Sequence, residues 1–121
     1  MNSKDLAFKA AQLLDEKKGN EISVIKVDEI TTLADYFVIV TGNSGPQVRA
    51  FSDELEFKLK QVGIVPDHIE GLGTRSWVVL DYQNVVIHIF DNEAREYYDL
   101  ERLWQDGKKV PAEQWQKKTE N

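Results

Sequence analysis

No cysteine occurs in the 121 residues, which rules out a disulfide framework, a thiolate metal site and a cysteine nucleophile. No apolar run approaches the roughly 20 residues that span a bilayer, so no membrane is expected as a partner. The stretch from Met1 to Asp5 lacks the basic-then-apolar order of a secretory signal. A cytoplasmic protein is the expectation. Positive charge is also scarce: 15 Lys and Arg stand against 21 Asp and Glu, a formal charge of −6, with no long block of consecutive basic residues. Nucleic acid is held by cationic side chains that displace counterions, so this balance argues against DNA or RNA as the main partner. A basic protein is the better complement.

Internal repeats, low-complexity tracts and breaks in composition are missing too. One α/β domain is therefore expected over residues 1–104. After it, residues 105–121 read as a polar C-terminal tail, mobile or loosely docked, with Trp115 its only large apolar side chain.

Ser3 to Lys18 reads as an amphipathic helix capped by Ser3, with Leu6, Ala7, Ala10, Leu13 and Leu14 on one stripe and Gly19 after it. Phe8 lies off that stripe, either exposed or in contact with another element. Ile22 to Val27 alternates as a strand, and Tyr36 to Thr41 is apolar on both faces, as a central strand requires. Gly42 to Gln47 opens a second helix. Ser44 followed by Gln47 has the capping-box form, Pro46 suits the first turn, and Val48, Phe51, Leu55, Leu59 and Val62 share one face. Val65 to Glu70 is a weaker strand. Asp91 or Asn92 can cap a last helix that continues through Leu100 to Trp104. The order implies an α/β fold with a mixed sheet, a C-terminal antiparallel hairpin and helices packed mainly on one face.

The hairpin, Ser76 to Asp91, organises the chain. Two runs of β-branched and aromatic residues flank Gln83 and Asn84, and counting back from that turn opposes Trp77 to Phe90 and Asp81 to Val86. Opposed residues share a face. Val78, Leu80, Tyr82, Val85, Ile87 and Ile89 make an ordinary core face. The second face holds Trp77, Val79, Asp81, Val86, His88 and Phe90, an apolar surface with one carboxylate and one imidazole set into it. Such a face is too apolar for plain solvated surface. Either helices cover it, with Asp81 and His88 satisfied internally, or a partner does.

Signals of catalysis are weak. The loop from Gly42 to Gln47 joins a strand to a helix start, a geometry that attracts phosphate, and a phosphate- or nucleotide-binding enzyme is the alternative reading. It lacks the Lys-Ser/Thr ending of a P-loop and the spacing of a dinucleotide fingerprint, and its residues are accounted for as a helix cap. Ser44 with His88 does not match a nucleophile elbow. His68, Glu70, Asp81 and His88 lack tight metal-ligand spacing. No catalytic residue, metal or cofactor is assigned.

The run from Asp35 to Gly42, Trp77 to Asp81, Val86 to His88, and Ala94 to Glu101 with Leu103 and Trp104 together resemble the ribosomal silencing factor family, also called Iojap-like. The order of hairpin histidine, Arg95, Tyr98, Glu101 and Trp104 carries the specificity. The resemblance covers about Leu6 to Trp104. It departs at the turn, where Gly-Asp is usual and Gln83-Asn84 stands here. What the resemblance implies is a nucleotidyltransferase-like fold without the catalytic carboxylates. It also implies a factor that binds the large ribosomal subunit at its protein L fourteen and blocks joining of the small subunit, lowering translation when nutrients are short. On that reading Trp77, Asp81, His88 and Phe90, with Val79 and Val86, bind the ribosomal protein. Arg95, Tyr98 and Trp104 form its rim, or Tyr98 and Trp104 instead dock the last helix on the core. A homodimer through the same hairpin face is a third reading.

Overall fold

The computed structural model describes residues 1–116. Helix α1 (Ser3–Glu16) is capped by Asn2 rather than Ser3: the Asn2 side chain accepts from the Asp5 N–H at 2.8 Å. That bond satisfies one of the first-turn N–H groups that have no intrahelical acceptor. The stripe from Leu6 to Leu14 is buried, and Phe8 beside it meets Tyr36 edge-on, ring centroids 6.4 Å apart. At Gly19 a Cβ would sit 2.6 Å from Val40 Cγ2, so only glycine lets the chain turn this closely into β1 (Asn20–Lys26).

Strand β2 (Tyr36–Gly42) is buried at every position. It pairs antiparallel with β1 and parallel with β5 (Val85–Asp91). A parallel pair needs a crossover. Here α2 (Gly45–Gln61), β3 (His68–Glu70) and β4 (Trp77–Asp81) lie between the two strands in sequence. With β6 (Lys108–Val110) the sheet has six strands in the order β3-β4-β5-β2-β1-β6. Strands β4 and β5 pair antiparallel, Trp77 opposite Phe90 through Asp81 opposite Val86. Gln83 takes φ 69°, a left-handed conformation that costs a non-glycine residue roughly 1–2 kcal/mol. The Asp81 carboxylate offsets part of this by accepting from the Gln83 N–H at 2.8 Å.

Helices α1 and α2, with the single turn α5 (Ala112–Trp115), cover one face of the sheet, where Val24, Val38, Val40, Val78, Leu80, Val85, Ile87 and Ile89 are buried. Each such side chain contributes roughly 1.5–3 kcal/mol by leaving water. On the other face α3 (Asn92–Tyr98) and α4 (Leu100–Leu103) close a smaller cluster of Ile25, Val27, Phe37, Ile39 and Phe90 through Ala94, Leu100 and Trp104. The last helix is thus not continuous. Asp99 adopts φ 47° and its N–H closes on the Arg95 carbonyl at 3.0 Å, which ends α3 before α4 begins at Leu100.

The segment expected to be a loose polar tail is docked as far as residue 116. Lys108 to Val110 pair with the outer edge of β1, whose backbone groups would otherwise face water. Trp115 is only 3 % exposed, and its carbonyl accepts from Gln12 Nε2 at 2.7 Å. Burial of the indole, together with the pairing of Lys108–Val110 on β1, favours this docking. The remainder of that segment, 117–121, lies outside the described residues. Among the described residues no helix is long and apolar enough to cross a membrane.

Candidate functional site

The second hairpin face is covered over only part of its width. Helices α3 and α4 lie over β5, β2 and β1. On β3 and β4, by contrast, His68 and Glu70 are exposed and Trp77, Val79 and Asp81 partly so, with Val86 of β5 beside them. His68 opposes Asp81 and Glu70 opposes Val79, so these residues share the face.

At the covered side sits an aromatic stack. Phe90 is fully buried, Trp77 lies on it with ring centroids 5.1 Å apart and planes at 26°, and Tyr98 packs against Trp77 at 4.4 Å. His88, 8 % exposed, stacks on Phe90 at 6.2 Å and receives Phe37 edge-on at 5.4 Å. Trp104 meets Phe37 at 5.0 Å. Trp77 Nε1 donates to His88 Nδ1 at 3.1 Å. Burial lowers the imidazole to about 4, so it is neutral at ordinary pH.

This arrangement corrects one expectation. Phe90 and His88 are not open contact area in the free chain, because Trp77, Tyr98 and Phe37 pack on them. Asp81 is engaged elsewhere. Its carboxylate accepts from Gln83 N–H and lies 3.4 Å from His68 Nε2, which also stands 3.9 Å from Glu70. Of the four residues weighed as metal ligands, His68 lies near Asp81 and Glu70 while His88 stands apart, and among the described residues no group of three or more could hold a metal ion.

Arg95, expected at the rim, is an internal clamp. Only 9 % exposed, it donates from Nε to Glu101 at 3.0 Å, from Nη1 to Thr41 Oγ1 at 2.9 Å and from Nη2 to Ser23 Oγ at 3.3 Å, while Ser23 donates to the other Glu101 oxygen at 3.0 Å. Burial alone would raise the Glu101 carboxyl, but the Arg95 hydrogen bond and charge, helped by Ser23 and Lys109, outweigh it and hold it below its ordinary value. The clamp ties α3 and α4 to β1 and β2, and so holds Tyr98 over Trp77. Sequence reasoning missed it. The available signal was two small hydroxyl residues, Ser23 and Thr41, on neighbouring strands and the same face, with a carboxylate six residues beyond the arginine.

The loop from Gly42 to Gln47 is occupied by its own bonds. Ser44 Oγ accepts from Gln47 N–H at 3.2 Å, the Gln47 side chain accepts from Asn43 N–H, and Asn43 accepts from Asn20 at 2.7 Å.

The family model described as ribosomal silencing factor during starvation matches residues 1–121. A Bacillus subtilis protein named ribosomal silencing factor RsfS is 38% identical over 106 residues, 88% of this chain and 90% of that protein. A mouse protein named mitochondrial assembly of ribosomal large subunit protein 1 is 35% identical over 95 residues, 76% of this chain and 42% of its own length. A crystal structure of a Chromobacterium violaceum protein superposes with a TM-score of 0.84 at 31% identity, covering 92% of this chain and 91% of that one.

Proposed function

The chain belongs to the ribosomal silencing factor family, whose members are named as factors and not as enzymes, and from that premise we propose that it represses translation by occupying the large ribosomal subunit. Its docking partner is the subunit's protein L fourteen, and the bound chain blocks association with the small subunit when nutrients are limiting, in the cytoplasm. The open side of the hairpin face carries this reading. Trp77, Val79 and Val86 offer apolar contact there, with Asp81 beside them. A rigid aromatic bordering an apolar patch with a polar margin is a usual composition of a binding hot spot. The net charge of −6 favours encounter with a basic protein.

The residues then divide by role. Trp77, Val79, Asp81 and Val86 touch the partner, with Tyr98 at the margin, while His88 and Phe90 support the indole from below and Arg95 and Trp104 fix the helices. We read the fold as nucleotidyltransferase-like without catalytic carboxylates, a reading supported by the Gly42 to Gln47 loop spending its polar groups on capping. A second copy of the chain is an alternative occupant of the same face and would compete with the ribosome.

Co-sedimentation with isolated large and small subunits at moderate salt tests the proposal. Migration with the large subunit alone, lost when Val79→Asp puts a charge on the open face, is the expected result. Equal binding to both subunits, or to neither, would overturn it.

A further inference from the structure

We propose that His88 is a positioning residue: from beneath the surface it fixes the indole of Trp77 in the orientation that meets the partner. The inference rests on docking at the hairpin face. His88 is too enclosed to offer contact area of its own. Its one hydrogen bond to a side chain among the described residues is the one it accepts from Trp77.

Packing between Phe90 and Tyr98 limits the tilt of the indole but does not by itself choose which edge points inward, since stacking tolerates more than one χ1/χ2 rotamer. A hydrogen bond does not, because it weakens steeply away from linearity. The Trp77 Nε1 to His88 Nδ1 bond therefore selects the rotamer that turns Nε1 inward. The imidazole is itself held before it acts: Phe37 abuts its edge and Phe90 its face. Asp81, on the same face, is engaged by Gln83 and His68 and does not draw the imidazole away. Accepting at Nδ1 requires the neutral ring with its proton on Nε2, the form that burial favours. A side chain fixed in its bound orientation has less freedom to lose on association.

Isolated large ribosomal subunits are the probe. His88→Leu removes the acceptor and keeps the site apolar, whereas His88→Asn places an oxygen near the Nδ1 position. His88→Leu should weaken binding by about three- to tenfold, the range of one ordinary hydrogen bond, and His88→Asn should restore most of it. In a Trp77→Phe background, which has no N–H to fix, His88→Leu should change binding by less than about twofold, because the two residues act as one unit. The Trp77 indole N–H resonance should exchange slowly in the wild type and His88→Asn and rapidly in His88→Leu. Should the leucine variant not fold, wild-type indole exchange decides: an unprotected N–H overturns the proposal. Equal losses in both Trp77 backgrounds would also overturn it, leaving His88 a packing residue. Failure of the wild-type chain to bind refutes the docking reading and this role with it, whereas normal wild-type binding unaffected by His88→Leu refutes the role of His88 alone.

Discussion

Acid should destabilise the protein through His88 over a defined range. Burial takes the imidazole from 6.5 down to about 4, so there is a range in which the unfolded chain binds a proton that the folded chain refuses. Above pH 6.5 the side chain is neutral in both states and its contribution is constant. As pH falls from there to about 4, only the unfolded state gains the proton and stability declines; below that both states are protonated and the loss is complete. A displacement of about 2.5 pH units at 1.36 kcal/mol each amounts to roughly 3 kcal/mol, a sizeable part of the 5–15 kcal/mol typical of a domain. Protonation at Nδ1 would also remove the acceptor for Trp77. Urea unfolding of the wild type and His88→Leu at a series of pH values measures the effect, because carboxylates common to both proteins cancel in the difference. Glu101 is one of these: its depressed carboxyl contributes stability that is present above its unfolded value and lost as pH falls through the folded one. The gap between the two proteins should move by roughly 3 kcal/mol against the wild type between pH 7.5 and 4. Parallel curves would refute the burial argument and the neutral state assigned to His88.

Trp77→Ala should weaken binding to large subunits by about 2 kcal/mol, roughly thirtyfold, with the fold retained; circular dichroism and co-sedimentation check both halves, and an unfolded variant would assign Trp77 to the core. Trp115→Ala should lower stability by about 3 kcal/mol, since an indole buried among α1 and the sheet leaves a cavity, whereas an unchanged melting temperature would mean that residues 105–116 contribute nothing. At Gly71 φ is 88° and a Cβ would lie 1.9 Å from the Trp77 carbonyl oxygen, so Gly71→Ala should displace β4 and weaken both stability and ribosome binding. Wild-type behaviour of that variant would contradict the close approach.

Much of the hairpin was legible because two local rules agree there: strict alternation names the face of every residue, and the turn fixes the count. The central position of β2 was equally plain from its apolar run. What alternation cannot name is the element lying over a face. The enclosure of His88 and Phe90 depends on α3 stopping at Asp99, an uncommon left-handed aspartate, so that Tyr98 falls over Trp77 and Trp104 over Phe37. Arg95 looked like a rim charge because charged helix residues usually face water. Its length lets it reach back to Thr41 and Ser23, a long-range pairing that no local pattern encodes. Strand β6 was hidden for a related reason, since of Lys108, Lys109 and Val110 only the valine favours a strand, and the three pair because β1 offers an open edge.

The central claim is that the bound chain keeps the two ribosomal subunits apart. Light scattering on mixing isolated subunits, with the large subunit first saturated by the chain, tests it most directly. Joining should be suppressed in proportion to occupancy and restored with Trp77→Ala at the same concentration. Normal joining by large subunits shown to carry the chain would contradict the claim.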